Sequence, residues 1–241
     1  TKTAVPRTAS EAMDFYENIA NFKAELDKPV HAQYRDEINR LLGLYQLNGE
    51  GLNLTDGVYT LNEVKIFAEP TFGILYKEVL NPDGTKTAVP RTASEAMDFY
   101  ENIVKFTQRL DQSPQKSKVI ELLKLYTKDG TPLDLSDGVD SLTELQIFSD
   151  PALGILYKEE IQNEQKVAVP RTAEEAISFY ENITKFVDEF NAITDVNLKA
   201  EVNKILGVYT KGTVKLDLLN GGVNSLAELQ IFSDPALGIL Y

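Results

Sequence analysis

Apolar residues recur every three or four positions in the first part of the chain, a spacing typical of amphipathic helices. The first such stretch, helix A, is predicted to begin at a capping box of Thr8 and Glu11, whose side chains satisfy free amides of the first turn. Its end is predicted near Asp27, because Pro29 follows closely. Its apolar stripe consists of Ala12, Phe15, Tyr16, Ile19, Phe22 and Leu26.

The same periodicity predicts two further helices. Helix B covers about residues 32–45. Its apolar side consists of Tyr34, Ile38, Leu41, Leu42 and Tyr45. Helix C is short, and it begins at a second capping box, formed by Thr60 and Glu63. Pro70 marks its end or the start of a further turn.

After helix C, residues 73–80 form a strand-like run, the turn sequence Asn-Pro-Asp-Gly follows at 81–84, and a second strand-like run covers 85–89. Turn chemistry between two strand-like runs predicts an antiparallel β-ribbon. Short apolar runs are ambiguous by period alone, so residues 153–157 of the second such run have helix as an alternative. We favour the ribbon, which predicts a stiff connection.

This pattern recurs along the chain. Residues 1–19 and 85–103 are identical, and a close variant of the string begins at Lys166. Residues 141–157 and 225–241 differ only at their third position, which is threonine in one and alanine in the other. Self-similarity at this level outranks every other signal in the chain.

The repeats define three modules of about 80 residues each, at 1–84, 85–164 and 165–241. The predicted fold class is α+β and predominantly α-helical, as a tandem repeat of small modules. Each module is expected to contain about three helices, and a short β-ribbon is expected at each junction. Contacts between neighbouring modules of the same chain would then dominate the packing.

Composition narrows the classes of function. The formal net charge is −13 and is spread over all three modules, which disfavours nucleic acid as a partner. No stretch approaches the roughly 20 apolar residues of a membrane span, so we expect no direct membrane insertion. The chain has no cysteine, which excludes disulfides and thiolate chemistry. The only histidine, His31, has no counterpart in the other modules, and we expect it at the surface.

No catalytic constellation recurs in the modules, so we predict that the protein is not an enzyme. Two recurring polar groups are candidate binding residues. The first is the arginine of a shared Val-Pro-Arg-Thr sequence, at Arg7, Arg91 and Arg171. The second is a Glu-Asn pair after a shared tyrosine, at Glu17, Asn18, Glu101, Asn102, Glu181 and Asn182.

These groups also have a structural interpretation. A guanidinium could clamp a partner's carboxylate, but we favour pairing with an acidic group such as Glu11 or Glu17, which would fix the ribbon to helix A. The Glu-Asn pairs lie beside the apolar stripe and are expected to face solvent or the next module. Duplication alone explains their recurrence equally well.

An acidic loop before helix C of the second module is the candidate metal site. Its ligands would be Asp134, Asp137, Asp140 and Glu144, whose carboxylates suit calcium. The spacing departs from the EF-hand pattern because leucines occupy ligand positions, and the other modules do not keep these charges. We therefore favour turn residues and a capping glutamate. No cofactor other than calcium is indicated.

Three hypotheses of function follow. In the first, the chain is part of a repetitive extracellular or cell-surface protein whose modules bind a protein or glycan partner, as in an adhesin, and gain affinity through multivalency. In the second, the modules form a mechanical spacer, stalk or surface-layer component without a ligand. In the third, calcium stiffens each module.

Overall fold

The computed structural model describes residues 7–81, 85–162 and 165–240. Within these ranges the protein is an α+β structure of helices and small two-stranded antiparallel sheets, in agreement with the predicted α+β class. The chain divides into two compact units, Thr1–Val104 and Lys105–Tyr241, and the boundary between them falls inside a helix. In the described ranges no helix combines the length and the apolar character needed to cross a membrane.

In the N-terminal unit, helices alternate with short strand pairs. The helices are α1 (Ala9–Leu26), α2 (Arg35–Leu42), α3 (Leu61–Ala68) and the first part of α4 (Ala93–Gln112). The strands are β1 (Gln46–Leu47), β2 (Glu50–Gly51), β3 (Tyr76–Leu80) and β4 (Lys86–Pro90). β1 pairs with β2 and β3 with β4, both antiparallel. Short 3-10 helices occupy Pro29–His31 and Pro70–Phe72.

The C-terminal unit contains the rest of α4 and a similar order of elements. Its other helices are α5 (Lys116–Leu123), α6 (Leu142–Ser149), α7 (Ala173–Ala192), α8 (Val196–Leu206) and α9 (Leu226–Ser233). Its strands are β5 (Thr127–Lys128), β6 (Thr131–Pro132), β7 (Tyr157–Gln162), β8 (Gln165–Pro170), β9 (Thr210–Lys211) and β10 (Val214–Lys215). Each odd-numbered strand pairs antiparallel with the strand that follows it. The strand pairs after the second helix of each predicted module, β1–β2, β5–β6 and β9–β10 in chain order, were not predicted.

The predicted capping box starts α1, α3, α6 and α7. In α1, the Glu11 carboxylate accepts a hydrogen bond from the Thr8 amide at 2.7 Å, and the Thr8 hydroxyl oxygen accepts one from the Glu11 amide at 3.2 Å. These side chains satisfy amides that have no partner inside the helix, so the starting point is encoded locally.

Helix B is shorter than the predicted range of 32–45. α2 begins at Arg35 because the chain first forms the 3-10 helix Pro29–His31. It ends at Leu42 because the amide of Tyr45 bonds back only three residues, to the Leu42 carbonyl at 3.1 Å. This tighter turn directs the chain into β1.

The predicted ribbons are present. In β3–β4, Tyr76 lies opposite Pro90, and in β7–β8, Tyr157 lies opposite Pro170. The alternative of a helix through residues 153–157 is wrong, since β7 begins at Tyr157. Part of each predicted turn, at 82–84 and 163–164, lies outside the described residues.

The apolar stripe of α1 is buried only over its second half. Ile19, Phe22 and Leu26 are in the core, whereas the Tyr16 side chain is 53% exposed. In α4 the burial begins in the first turn, at Ala93. The equivalent stripe there is buried at Ala96, Met97, Tyr100, Ile103, Val104, Phe106 and Leu110.

Candidate functional site

A cleft of about 570 Å³ lies between α1 and the segment that joins β4 to α4, inside the N-terminal unit. It brings together four of the predicted binding residues, which come from the first two modules: Arg7, Glu17, Asn18 and Arg91. The Asn18 side-chain amide donates a hydrogen bond to the Arg91 carbonyl at 2.9 Å, which joins α1 to the segment on the other side of the cleft. This bond joins residues 73 positions apart, so sequence spacing gave no indication of it.

The arginines of the cleft differ in environment. Arg91 is 2% exposed; its guanidinium donates to the Gly73 carbonyl at 3.1 Å and lies over the Phe99 ring at 4.5 Å. Arg7 is exposed and lies over the Phe15 ring at 4.3 Å. The predicted role of fixing the ribbon therefore has a different chemistry at Arg91, where a backbone carbonyl and a ring face are the contacts in place of a carboxylate.

Arg171 repeats the arrangement of Arg91 in the C-terminal unit. Its side chain is 3% exposed and lies over the Phe179 ring at 4.4 Å. Its amide donates to the Leu156 carbonyl at 2.8 Å, as the Arg91 amide does to the Leu75 carbonyl at the same distance. Buried guanidinium groups of this kind are not available to an external ligand, whereas Arg7 is.

The predicted glutamates also differ in accessibility and contacts. Glu17 is exposed at the cleft. Glu101 is in hydrogen-bond contact with Nδ1 of His31. Glu181 accepts a hydrogen bond from the Ser113 hydroxyl at 2.6 Å. Of the asparagines not yet described, Asn102 is half-buried and Asn182 is exposed.

His31 is not the surface residue that the sequence suggested. Its side chain is 12% exposed, and Nε2 lies 3.9 Å from a Glu25 carboxylate oxygen while Nδ1 contacts Glu101. The 3-10 helix that shortens helix B carries this imidazole toward α4. Its partner Glu101 lies 70 residues away in sequence. That histidine occurs in one module alone therefore did not predict its position.

A buried pair of tyrosines is the feature that sequence reasoning did not single out. The Tyr100 hydroxyl donates to the Tyr45 hydroxyl at 2.8 Å, and the rings meet edge-on with centroids 6.4 Å apart. Burial raises the pKa of Tyr45 to about 12 and that of Tyr100 well above its ordinary value of 10, so both hydroxyls stay protonated. The recurring Tyr-Glu-Asn string was the available signal.

The C-terminal unit contains a second tyrosine pair. The hydroxyls of Tyr126 and Tyr180 are 2.9 Å apart, and their rings also meet edge-on at 6.4 Å. A phenylalanine of the preceding long helix packs on the same ring in each case, Phe22 on Tyr100 and Phe106 on Tyr180. In both units, a tyrosine of one long helix is therefore covered by a phenylalanine of the preceding long helix and by a second tyrosine.

The acidic loop does not gather its carboxylates. Glu144 is 4% exposed, and its oxygens accept hydrogen bonds from the amides of Asp134 at 3.3 Å, Asp140 at 2.9 Å and Ser141 at 3.2 Å. Asp137 is exposed. Nowhere in the described ranges do three or more acidic or histidine side chains form a group suited to a metal ion. Calcium binding stays a prediction from the sequence.

Glu144 thus organises the loop through its backbone contacts. Burial raises its pKa above the ordinary value of 4.5, against the opposing effect of the Asp140 amide. By contrast, the hydrogen bond from the Ser136 amide lowers the pKa of Asp134. The equivalent glutamates of the other modules, Glu63 and Glu228, also accept amide hydrogen bonds just before their helices.

No family model, curated protein or solved structure matches this chain. The class of the protein is therefore the one its own fold defines: an α+β protein whose helices are linked by two-stranded antiparallel sheets. Its candidate sites are an open cleft with one accessible guanidinium and two buried tyrosine pairs.

Proposed function

We propose that this chain is a structural, non-catalytic protein of tandem modules that acts as a spacer or stalk in an extracellular or cell-surface setting. The tyrosine pair carries the proposal. In each unit, a buried hydroxyl contact joins one module to the next, at 2.8 Å between Tyr45 and Tyr100 and at 2.9 Å between Tyr126 and Tyr180. Buried aromatic contacts with satisfied hydroxyls rigidify a junction, since bending would expose both the rings and the hydrogen bond.

The ribbons support the same role. β3–β4 and β7–β8 each cross a module boundary defined by sequence and add backbone hydrogen bonds to the aromatic contact. Paired strands constrain the relative direction of the segments that follow, unlike a flexible linker. A stalk requires this combination, because its length is useful only if successive modules keep their orientation.

The contacts of the predicted binding residues also favour a structural role. Glu101 and Glu181 contact His31 and Ser113, respectively, which belong to the preceding module in sequence. Lys118 of α5, in the second module, and Asp188 of α7, in the third, form a further ion pair at 2.6 Å. These side chains are thus engaged within the chain, whereas an adhesin would keep its recurring polar residues accessible on every module.

A spin-label distance measurement tests junction stiffness, and the absence of cysteine makes the labelling selective. We would label Glu121→Cys with Lys204→Cys, which lie in different modules of the C-terminal unit, and use Glu121→Cys with Asp137→Cys as a control within one module. A spacer predicts equally narrow distance distributions for both pairs. Adding Tyr180→Ala should broaden the first pair alone. A broad distribution for the first pair in the otherwise unchanged chain would refute the spacer role.

Multivalent adhesion is the second candidate function, and the cleft favours it. Arg7 offers an accessible guanidinium beside the carboxylates of Glu11, Asp14 and Glu17, and about 570 Å³ is a volume in the range of small-ligand sites. The mixed charge would suit a zwitterionic or polar segment of a protein or glycan. Several weak sites on one chain would act together if each module kept such a cleft open.

The test is binding of the whole chain to immobilised glycans and matrix proteins. Arg7→Glu should abolish a specific signal if the cleft is the site. Lys204→Glu changes the net charge equally at an exposed position far along the sequence, and it should leave the signal intact. A signal that both variants reduce to the same extent would indicate general electrostatic adsorption, and the adhesion hypothesis would then fail.

A further inference from the structure

The aromatic contact between successive modules is the same in both units, so it does not determine which long helix belongs on which neighbour. The Tyr100 ring of α4 lies 6.2 and 6.4 Å from its two aromatic partners, and the Tyr180 ring of α7 lies 6.4 Å from both of its partners. Near-copies that make the same contact can pair wrongly during folding, a characteristic failure of repeat proteins. A preference must therefore come from residues that differ between the modules.

Two ion pairs in the C-terminal unit join residues that do differ. We call the surface that carries Phe22 and Tyr45, in the first module, the first surface, and the one that carries Phe106 and Tyr126, in the second module, the second surface.

Both ion pairs join the second surface to α7. Nε of Arg109, in α4, lies 3.0 Å from a carboxylate oxygen of Glu174. Nζ of Lys118, in α5, donates to both carboxylate oxygens of Asp188 at 2.6 Å. The two cations belong to the second surface, and the two carboxylates belong to α7. This contact is therefore complementary in charge at two separate points.

The first surface has the opposite charge at the same two positions of the repeat. When the modules are aligned on their shared residues, Glu25 takes the place of Arg109, and Glu37 takes the place of Lys118. On the first surface, each of the two α7 carboxylates would therefore meet a glutamate in place of a cation. Both glutamates pair with a nearby cation of their own module, which offsets part of the repulsion but supplies no partner for α7.

The helix that does pack on the first surface is neutral at the matching positions. In α4, Ser94 stands where α7 has Glu174, and Gln108 stands where α7 has Asp188. These neutral residues meet no like charge on the first surface and would form no ion pair on the second. The glutamate after each shared tyrosine contacts the preceding module in both units, so it does not discriminate between the surfaces.

We propose that the charges at positions 109, 118, 174 and 188 specify which long helix packs on which surface: the second surface favours α7, and the first surface disfavours it. One exposed ion pair contributes little by itself. Specificity is a difference, however, and here it includes the attraction lost and the repulsion gained at two positions. We expect a preference of roughly tenfold. The inference concerns the pairing of modules and holds whether they form a spacer or bind a partner, so it is judged separately from the proposed function.

A transplant of charges within the full chain tests this selection. Arg109→Glu with Lys118→Glu gives the second surface the charges of the first. Glu174→Ser with Asp188→Gln gives α7 the residues of α4. The unchanged chain, the two double variants and the combination of all four substitutions form a double-mutant cycle. Urea denaturation followed by circular dichroism gives the unfolding constant of the C-terminal unit, to which all four positions belong.

The surface substitutions should have an effect that depends on the helix. With α7 unchanged, they should raise the unfolding constant about tenfold or more, because both ion pairs become contacts between like charges. With the α4 residues at 174 and 188, the same substitutions should change it by less than about threefold. Exchanging the charges on both sides, by Arg109→Glu and Lys118→Glu with Glu174→Arg and Asp188→Lys, should restore the unfolding constant to within about threefold of the unchanged chain. Salt at about 1 M should remove most of these differences, since it screens exposed charges.

A matched control changes the same net charge elsewhere in the unit. Lys204→Glu with Lys215→Glu places two glutamates at exposed positions of α8 and β10, and its effect should not depend on residues 174 and 188. The proposal is overturned if the surface substitutions depend on the helix no more than this control does, if the dependence persists at about 1 M salt, or if the exchanged charges do not restore stability. Should the surface variant fail to fold, recovery by the charge exchange decides the test.

Discussion

Residues 7–19 and 91–103 are the same thirteen-residue string, yet one lies on the surface and the other in the core. Both form a helix with the same capping box, which is a local property of the string. They differ in what lies against them: the second packs on Phe22 and Tyr45, while large apolar residues of the first face outward. Burial is therefore set by the neighbour and not by the string.

This pair of strings offers an internally controlled experiment, because the same substitution can be made in both. Any difference in outcome measures the surroundings, since residue type, helix position and local sequence are held constant. Both strings belong to the N-terminal unit, so their effects are read from the same unfolding transition.

The largest difference is expected between Tyr100→Ala and Tyr16→Ala. Removing the fully buried Tyr100 ring leaves a cavity between Phe22 and Tyr45 and should cost about 3–5 kcal/mol. Removing the exposed Tyr16 ring should change stability by no more than about 0.5 kcal/mol. Urea denaturation followed by circular dichroism measures both. Equal losses would mean that α1 is covered in solution as α4 is.

The next largest difference in stability loss is expected between Arg91→Ala and Arg7→Ala. The buried Arg91 guanidinium donates to Gly73, and its loss leaves that carbonyl without its donor, so we expect a cost of about 1.5–3 kcal/mol. Among the described residues, Arg7 lies over the Phe15 ring in an exposed position, a contact worth at most about 1 kcal/mol. The same denaturation curves give the answer, and a larger effect at Arg7 would contradict the assignment of the structural role to the buried copy.

A smaller effect is expected from removing a hydroxyl alone. Tyr100→Phe leaves the buried Tyr45 hydroxyl without its partner and should cost about 1–2 kcal/mol, while Tyr16→Phe should be neutral. The double variant Tyr45→Phe with Tyr100→Phe should lose less than the two single variants combined, because no hydroxyl is left unsatisfied. Strict additivity in this double-mutant cycle would show that the 2.8 Å contact contributes nothing.

Sequence patterns predicted the parts of the structure that are encoded locally. The capping boxes start helices at Thr8 and Thr172, and the ribbons form where turn residues separate two extended runs. The end of helix B was predicted less well. The Tyr45 amide bonds to the Leu42 carbonyl, three residues back, and this turn ends the helix. The spacing of apolar residues does not reveal such a turn.

The candidate site was predictable only in part, for a related reason. Recurrence selected Arg7, Glu17, Asn18 and Arg91, which the cleft does bring together. It did not reveal that His31 would meet Glu101, or Tyr45 meet Tyr100, because those partners lie 70 and 55 residues apart. Recurrence identifies residues that every module keeps, but whether each is accessible depends on which neighbour covers it.

The smallest expected difference concerns two carboxylates of the compared strings, Glu11 and Glu95. A side-chain hydrogen bond from Lys77 and the Thr92 amide lower the pKa of Glu95 to about 2, whereas hydrogen bonds from Thr8 lower the pKa of Glu11. A depressed pKa stabilises the fold above the ordinary value of 4.5, and this contribution is lost as the pH falls toward about 2. The effect on stability should be small because Glu95 is exposed and solvent screens the pair.

Carboxyl titration followed by NMR resolves the two groups directly. We expect Glu95 to titrate at lower pH than Glu11, and Lys77→Ala to raise the pKa of Glu95 toward that of Glu11 while leaving Glu11 unchanged. Lys158→Ala provides a matched control, since Lys158 pairs with Glu175 of the third module; it should raise the pKa of Glu175 and leave Glu95 and Glu11 unchanged. If Glu95 and Glu11 titrate together in the unchanged chain, the contact between β3 and α4 through Lys77 is absent in solution. The second string would then owe its distinct environment to the aromatic neighbours alone.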